Sequence, residues 1–283
     1  MVSASLRTYR YLRIAMGAMI LVIFAAVAIE SIRHGSLLGS ISQYFYTPAR
    51  STFVGALVAA AVALLALSGH RAERALLDAA GLLAPLIAVV GTPVRNTLLC
   101  GDGITCVPVT AVRDIENGVL TYLVIGTAGW FTVVILVLAR RVELKVAGIS
   151  LVVATGVLAV VAGLWFGNRE LFLASVHFGA AALFFLSIGT IAVLHLRGRD
   201  DSPEPARWMK AVYGFVAVGM VVVVLLAVWA IIAERIDPDA PGFVVPAVFG
   251  CEVAALLLFL VFWVVQSIQR WNDEIAPAAP AAV

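Results

Sequence analysis

Charge is what this chain has least of. Only 13% of its 283 residues are Asp, Glu, Lys or Arg, about half of what a soluble domain carries. Lysine is nearly absent: Lys145 and Lys210 are the only two among 19 basic residues. That scarcity excludes a solvated globular surface and a basic stripe for nucleic acid, so no nucleic-acid partner is expected. Three cysteines and four histidines are too few for a disulfide framework or a zinc ribbon. Phosphate-binding Gly-rich loops, His-Glu-x-x-His and Gly-x-Ser-x-Gly are all missing. The N-terminus has no short apolar core followed by a small-residue cleavage site, so its first apolar run is read as a retained span.

What is present is apolar: 63% of the residues are hydrophobic, which makes a bilayer the expected solvent. Spans of about 17–25 residues fit roughly 12–32, 51–69, 75–93, 118–139, 147–166, 175–196, 209–233 and 245–267. Pro85 is expected to kink the third. The fold class predicted is all-α, a polytopic integral membrane helical bundle of eight transmembrane helices. It forms one domain over residues 1–271, and the Pro/Ala-rich segment 272–283 is read as a disordered cytoplasmic tail.

Orientation follows from the basic residues. With the N-terminus cytoplasmic, 13 of the 19 fall on inner segments and 6 on outer ones. Both termini are therefore expected inside the cell membrane. Trp165 and Trp229 then sit near the outer interface, and Trp208 and Trp271 near the inner one. Cys100 and Cys106 fall on the outer loop. A disulfide between them is favoured there over two free thiols or a metal site, which two thiols alone build poorly. Cys251 is expected to be buried in the last span.

Few ionisable groups lie within or beside the spans, and each is a functional candidate by default. Glu30 ends the first span, where pairing with Arg33 is the plain alternative. Asp78 begins the third, where an acid suits the helix dipole. His177 follows Ser175, read as an N-cap. Glu252 lies in the last span with no cation near it in sequence, so it must be neutralised, paired across helices or placed in a polar cavity.

Between the first two spans runs Ser40-Ile41-Ser42-Gln43-Tyr44-Phe45-Tyr46-Thr47-Pro48-Ala49-Arg50. Thr47-Pro48 reads as N-cap and N1 of the second span. A helix start with Arg50 in its first turn suits an anion such as a lipid phosphate or carboxylate. The plain alternative is an interfacial loop that anchors a helix. Glu30, this stretch, His177 and Glu252 all fall on the outer side. They predict an outward-facing polar pocket among spans one, two, six and eight, with Ser40, Ser42, Tyr44, Tyr46, Arg50, His177 and Glu252 as ligand-binding residues. The alternative is that these groups are scattered round the rim.

The order Ser-Ile-Ser-x-Tyr-Phe-Tyr-Thr-Pro-x-Arg, then His177-Phe178-Gly179-Ala180, then Glu252 resembles a family of uncharacterised bacterial integral membrane proteins. More distantly it resembles the Frag/DRAM/Sfk superfamily. The resemblance implies a role in membrane lipid handling, carried by Ser40, Ser42, His177 and Glu252. Three other functions compete with lipid binding. A metal-assisted lipid hydrolase would draw on His34, His177, Glu30 and Glu252. A transporter would use Glu252 as a proton or cation carrier. A b-type cytochrome would need His177 and His195 at haem depth, but 18 residues of helix separate them by about 27 Å. The expectation is membrane lipid as partner, with no metal, no cofactor and no assigned catalytic residue.

Overall fold

The computed structural model describes residues 4–67, 71–95, 100, 105–198, 204–236 and 244–271. The segment 272–283, His70 and most of the loop between the paired cysteines lie outside the described residues. Eight α-helices occur among those described: α1 (Ala4–His34), α2 (Arg50–Ala66), α3 (Arg71–Val89), α4 (Val109–Leu138), α5 (Leu144–Gly167), α6 (Arg169–Leu196), α7 (Arg207–Ile236) and α8 (Val244–Gln269). Each expected span overlaps one of them, though α2 and α3 stop three and four residues short of the expected 69 and 93, and the all-α reading holds. Six of the eight are long and apolar enough to cross a membrane: α1, α4, α5, α6, α7 and α8. α2 is apolar but has only 17 residues. α3 has 19 and carries Arg71, Glu73, Arg74 and Asp78 in its first half. The chain is thus built as a multi-pass membrane protein.

Several helices run further than hydropathy indicates. α4 starts nine residues before the apolar run, taking in Arg113, Asp114 and Glu116. α5 and α6 are separated by Asn168 alone, whose side chain accepts the Leu171 amide and caps α6. Ser175 is therefore not an N-cap. It lies inside α6 and donates to the Leu171 carbonyl at 2.6 Å. Asp78 likewise lies two turns into α3 rather than at its start, and accepts from Ser150 Oγ of α5 at 2.6 Å. α3 continues through Pro85 to Val89.

α1, α2, α3, α6, α7 and α8 pack successively in a ring, since α1 also meets α8. α4 and α5 pair with each other and lean on α3 from outside, and α5 also meets α6. Close approach needs small residues: a Cβ on Gly81 of α3 would come within 2.8 Å of the Leu65 side chain of α2. The core is apolar, with Leu64, Leu77, Ile188, Met220 and Phe262 fully buried.

A buried polar knot ties five ring helices at one end. Glu73 of α3 accepts from Gln266 of α8 at 2.9 Å and from Arg270, just past the end of α8, at 2.8 Å. Arg13 of α1 donates to Gln266 at 3.2 Å and also bonds the Tyr9 hydroxyl. His195 of α6 lies 3.5 Å from Glu73, 3.0 Å from Gln266, and stacks on Tyr213 of α7. Arg10 bonds the Trp271 carbonyl at the same end.

Candidate functional site

The opposite end is organised by a short 3-10 helix, Ile41–Tyr46, in the stretch between α1 and α2. Ser40 caps it, accepting the Gln43 amide. Thr47 closes it rather than opening α2. Its hydroxyl donates to the Tyr44 carbonyl at 2.8 Å and accepts the Ala49 amide at 3.2 Å, and regular helix begins at Arg50. The two-residue shift has a physical cause: the same hydroxyl serves the end of one helix and the approach to the next.

Glu252 of α8 reaches across to this 3-10 helix. One carboxylate oxygen accepts the Ile41 amide and the other accepts the Ser42 hydroxyl at 2.9 Å. Ile41 and Ser42 are the first residues of the 3-10 helix, so the acid caps its exposed N–H end from another part of the chain. Ser42 Oγ is also 3.0 Å from Ser40 Oγ and 3.1 Å from Thr92 Oγ1. Tyr46 donates to the Thr92 carbonyl at 2.9 Å. Burial raises the affinity of its hydroxyl for the proton, against the weaker opposite pull of Arg50, so the phenol stays a donor. His177 is buried, and its Nδ1 is 2.6 Å from the Val90 carbonyl.

α6 and α8 both pack along α7 but touch each other only briefly. Between them lies a half-open groove with about 540 Å³ of empty space, counting its mouth. His177 and Glu252 line it, and its other walls are apolar: Phe178, Ala181, Ala182 and Phe185 of α6, Val223, Val224, Ala227, Val228 and Ile231 of α7, and Val248, Cys251 and Ala255 of α8.

The structure therefore joins Ser40, Ser42 and Glu252 directly. His177 belongs to the same site through the shared groove and through Val90, two residues before Thr92. Tyr46 enters by way of Thr92. Tyr44 is buried and bonded instead to Ser31 of α1 and to the Leu38 amide. Arg50 stands apart from the groove: its guanidinium pairs with Asp114 at 2.6 Å and lies over the Phe45 ring at 4.2 Å. The pocket is thus formed by α6, α7 and α8, whereas spans one and two were expected in place of α7. Glu30 neither lines it nor pairs with Arg33, and the exposed His34 bonds Ser36. Among the described residues no cluster of three or more His, Cys, Asp or Glu is arranged to hold a metal.

Three participants escaped the sequence reading. Thr92 and Val90 act through a hydroxyl and a carbonyl in an apolar setting, which no pattern marks. Gln266, the hub of the polar knot, did leave a signal as an amide in the run Phe262-Trp263-Val264-Val265. Cys100 and Cys106 are joined by a disulfide beside the two-residue strands Val94–Arg95 and Thr105–Cys106, which pair antiparallel. Cys251 is the one free cysteine. Comparison with known proteins returns no matching family, no matching curated protein and no matching solved structure.

Proposed function

We propose that this protein binds a membrane lipid in the groove between α6 and α8, with the polar part of the lipid at His177 and Glu252. The observation that carries the reading is the composition of that groove: two polar side chains, His177 and Glu252, set in otherwise apolar walls. An apolar groove with a few polar groups on its wall suits an amphiphile. All eight helices cross the membrane in this reading, α2 and α3 being sheltered by their neighbours in the ring. The bias of basic residues places the Arg270 end in the cytoplasm and the groove in the outer leaflet of the cell membrane. The disulfide is then on the oxidising side. The resemblance to the Frag/DRAM/Sfk superfamily points to lipid handling as well.

The test is lipid analysis by mass spectrometry of protein extracted gently from membranes. Wild type should retain a lipid in near-stoichiometric amount. Ala227→Trp, which fills the groove from α7, should lose it while keeping its melting temperature. Equal retention by the variant would end this reading.

A further inference from the structure

The hydrogen-bonding groups at the polar part of the groove narrow the chemistry of its occupant. Because a carbonyl oxygen only accepts, the contact with Val90 places the His177 proton on Nδ1. A neutral imidazole then presents Nε2 as a bare acceptor, and no described residue donates to it. A charged ring is disfavoured, since no described carboxylate lies within ion-pair distance of it and a buried, unpaired charge is costly. Glu252 is committed within the protein, its two oxygens accepting from the Ile41 amide and the Ser42 hydroxyl. The Ser42 hydroxyl proton is committed to Glu252. No Arg or Lys lines the groove, and the nearest candidate from the sequence, Arg50, is neutralised by Asp114.

The group left open to an occupant is therefore the Nε2 acceptor of His177. An anionic phosphate or carboxylate would meet that bare nitrogen with no Arg or Lys in the groove to pair with it. A hydroxyl is complementary: it donates one proton to Nε2 and carries no charge into the groove. The walls are long enough for a chain, since His177 to Phe185 on α6 spans about 12 Å.

We propose that the groove selects a lipid alcohol, with its hydroxyl donating to His177 Nε2 and one alkyl chain lying along α7 between α6 and α8. This rests on the lipid-groove reading and adds the headgroup class to it, replacing the anion expected from Arg50.

The experiment uses the full chain in phosphatidylcholine nanodiscs and a long-chain alcohol bearing a diazirine near its hydroxyl. After irradiation, labelled peptides are mapped by mass spectrometry. Labelling should fall on Phe178–Phe185 or Val248–Ala255. Unlabelled monoacylglycerol should compete about tenfold better than a fatty acid or a fatty amine of the same chain length, the worth of one hydrogen bond. His177→Phe, which keeps a ring but removes the acceptor, should erase that preference. A fatty acid or amine competing as well as the alcohol would overturn the headgroup inference and leave the groove standing. Labelling that persists in both Ala227→Trp and Ala182→Trp, with melting temperatures unchanged, would overturn the groove itself. Absence of labelling in the wild type would overturn the proposal.

Discussion

Glu252 spends both carboxylate oxygens on residues 210 and 211 positions earlier in the chain. Removing it strips the Ile41 amide and the Ser42 hydroxyl of their acceptor in one step. Glu252→Ala should lower unfolding stability in detergent by about 2–3 kcal/mol, whereas Glu252→Gln, which still offers one acceptor oxygen, should cost about half of that. Thermal or denaturant titrations of the two variants check the order. Gly91 is a second sensitive residue: a Cβ there would lie 2.5 Å from the Tyr46 hydroxyl and 2.6 Å from the Phe45 ring. Gly91→Ala should push the 3-10 helix away from Thr92 and cost about 1–3 kcal/mol by the same measurement. Glu252 was legible in the sequence because an acid in an apolar run needs an explanation. Ser40 and Ser42 were legible because they interrupt two such runs. Arg50 was misjudged because its counter-charge, Asp114, belongs to a part of α4 that hydropathy assigns to a loop. Glu73 shows the same limit from the other side, since its partners Gln266 and Arg270 lie 193 and 197 residues away and only the fold brings them together.

Helix ends were the least legible elements, for a consistent reason. Hydropathy reports where a helix meets lipid, whereas hydrogen bonding and caps decide where it stops. α4 continues into charged residues whose partners lie on its neighbours: Arg50 pairs with Asp114 and Arg169 with Glu116. α5 and α6 need only Asn168 between them because its side chain satisfies the Leu171 amide. Asn168→Ala should therefore cost about 1 kcal/mol, the worth of an N-cap, and loosen the first turn of α6. Amide exchange at Leu171 should report it as faster protection loss, with the last turns of α6 unaffected. α3 depends on different physics. Its first half carries Arg71, Glu73, Arg74 and Asp78, and its burial rests on the knot among Glu73, Arg270 and Gln266. Taking one partner from a buried ion pair is strongly destabilising, so Glu73→Ala should cost about 3 kcal/mol in the same titrations.

At the scale of the whole molecule, two polar clusters sit towards opposite ends of a ring whose middle is apolar. Each cluster joins α8 to distant helices, so α8 is the strut on which both ends are aligned. The inside-out assignment makes a clear prediction in a Cys251→Ser background. In intact cells an impermeant maleimide should modify Ser36→Cys, on the loop beside the 3-10 helix, and leave Lys145→Cys unmodified until the cells are opened. The reverse pattern would invert the topology. Occupancy of the groove is tested most directly by a density map of the protein in nanodiscs made from native lipid. Elongated density should run along α7 between α6 and α8, ending within hydrogen-bond distance of His177 Nε2. A groove closed by its own side chains, or one in which His177 bonds another part of the protein, would contradict it.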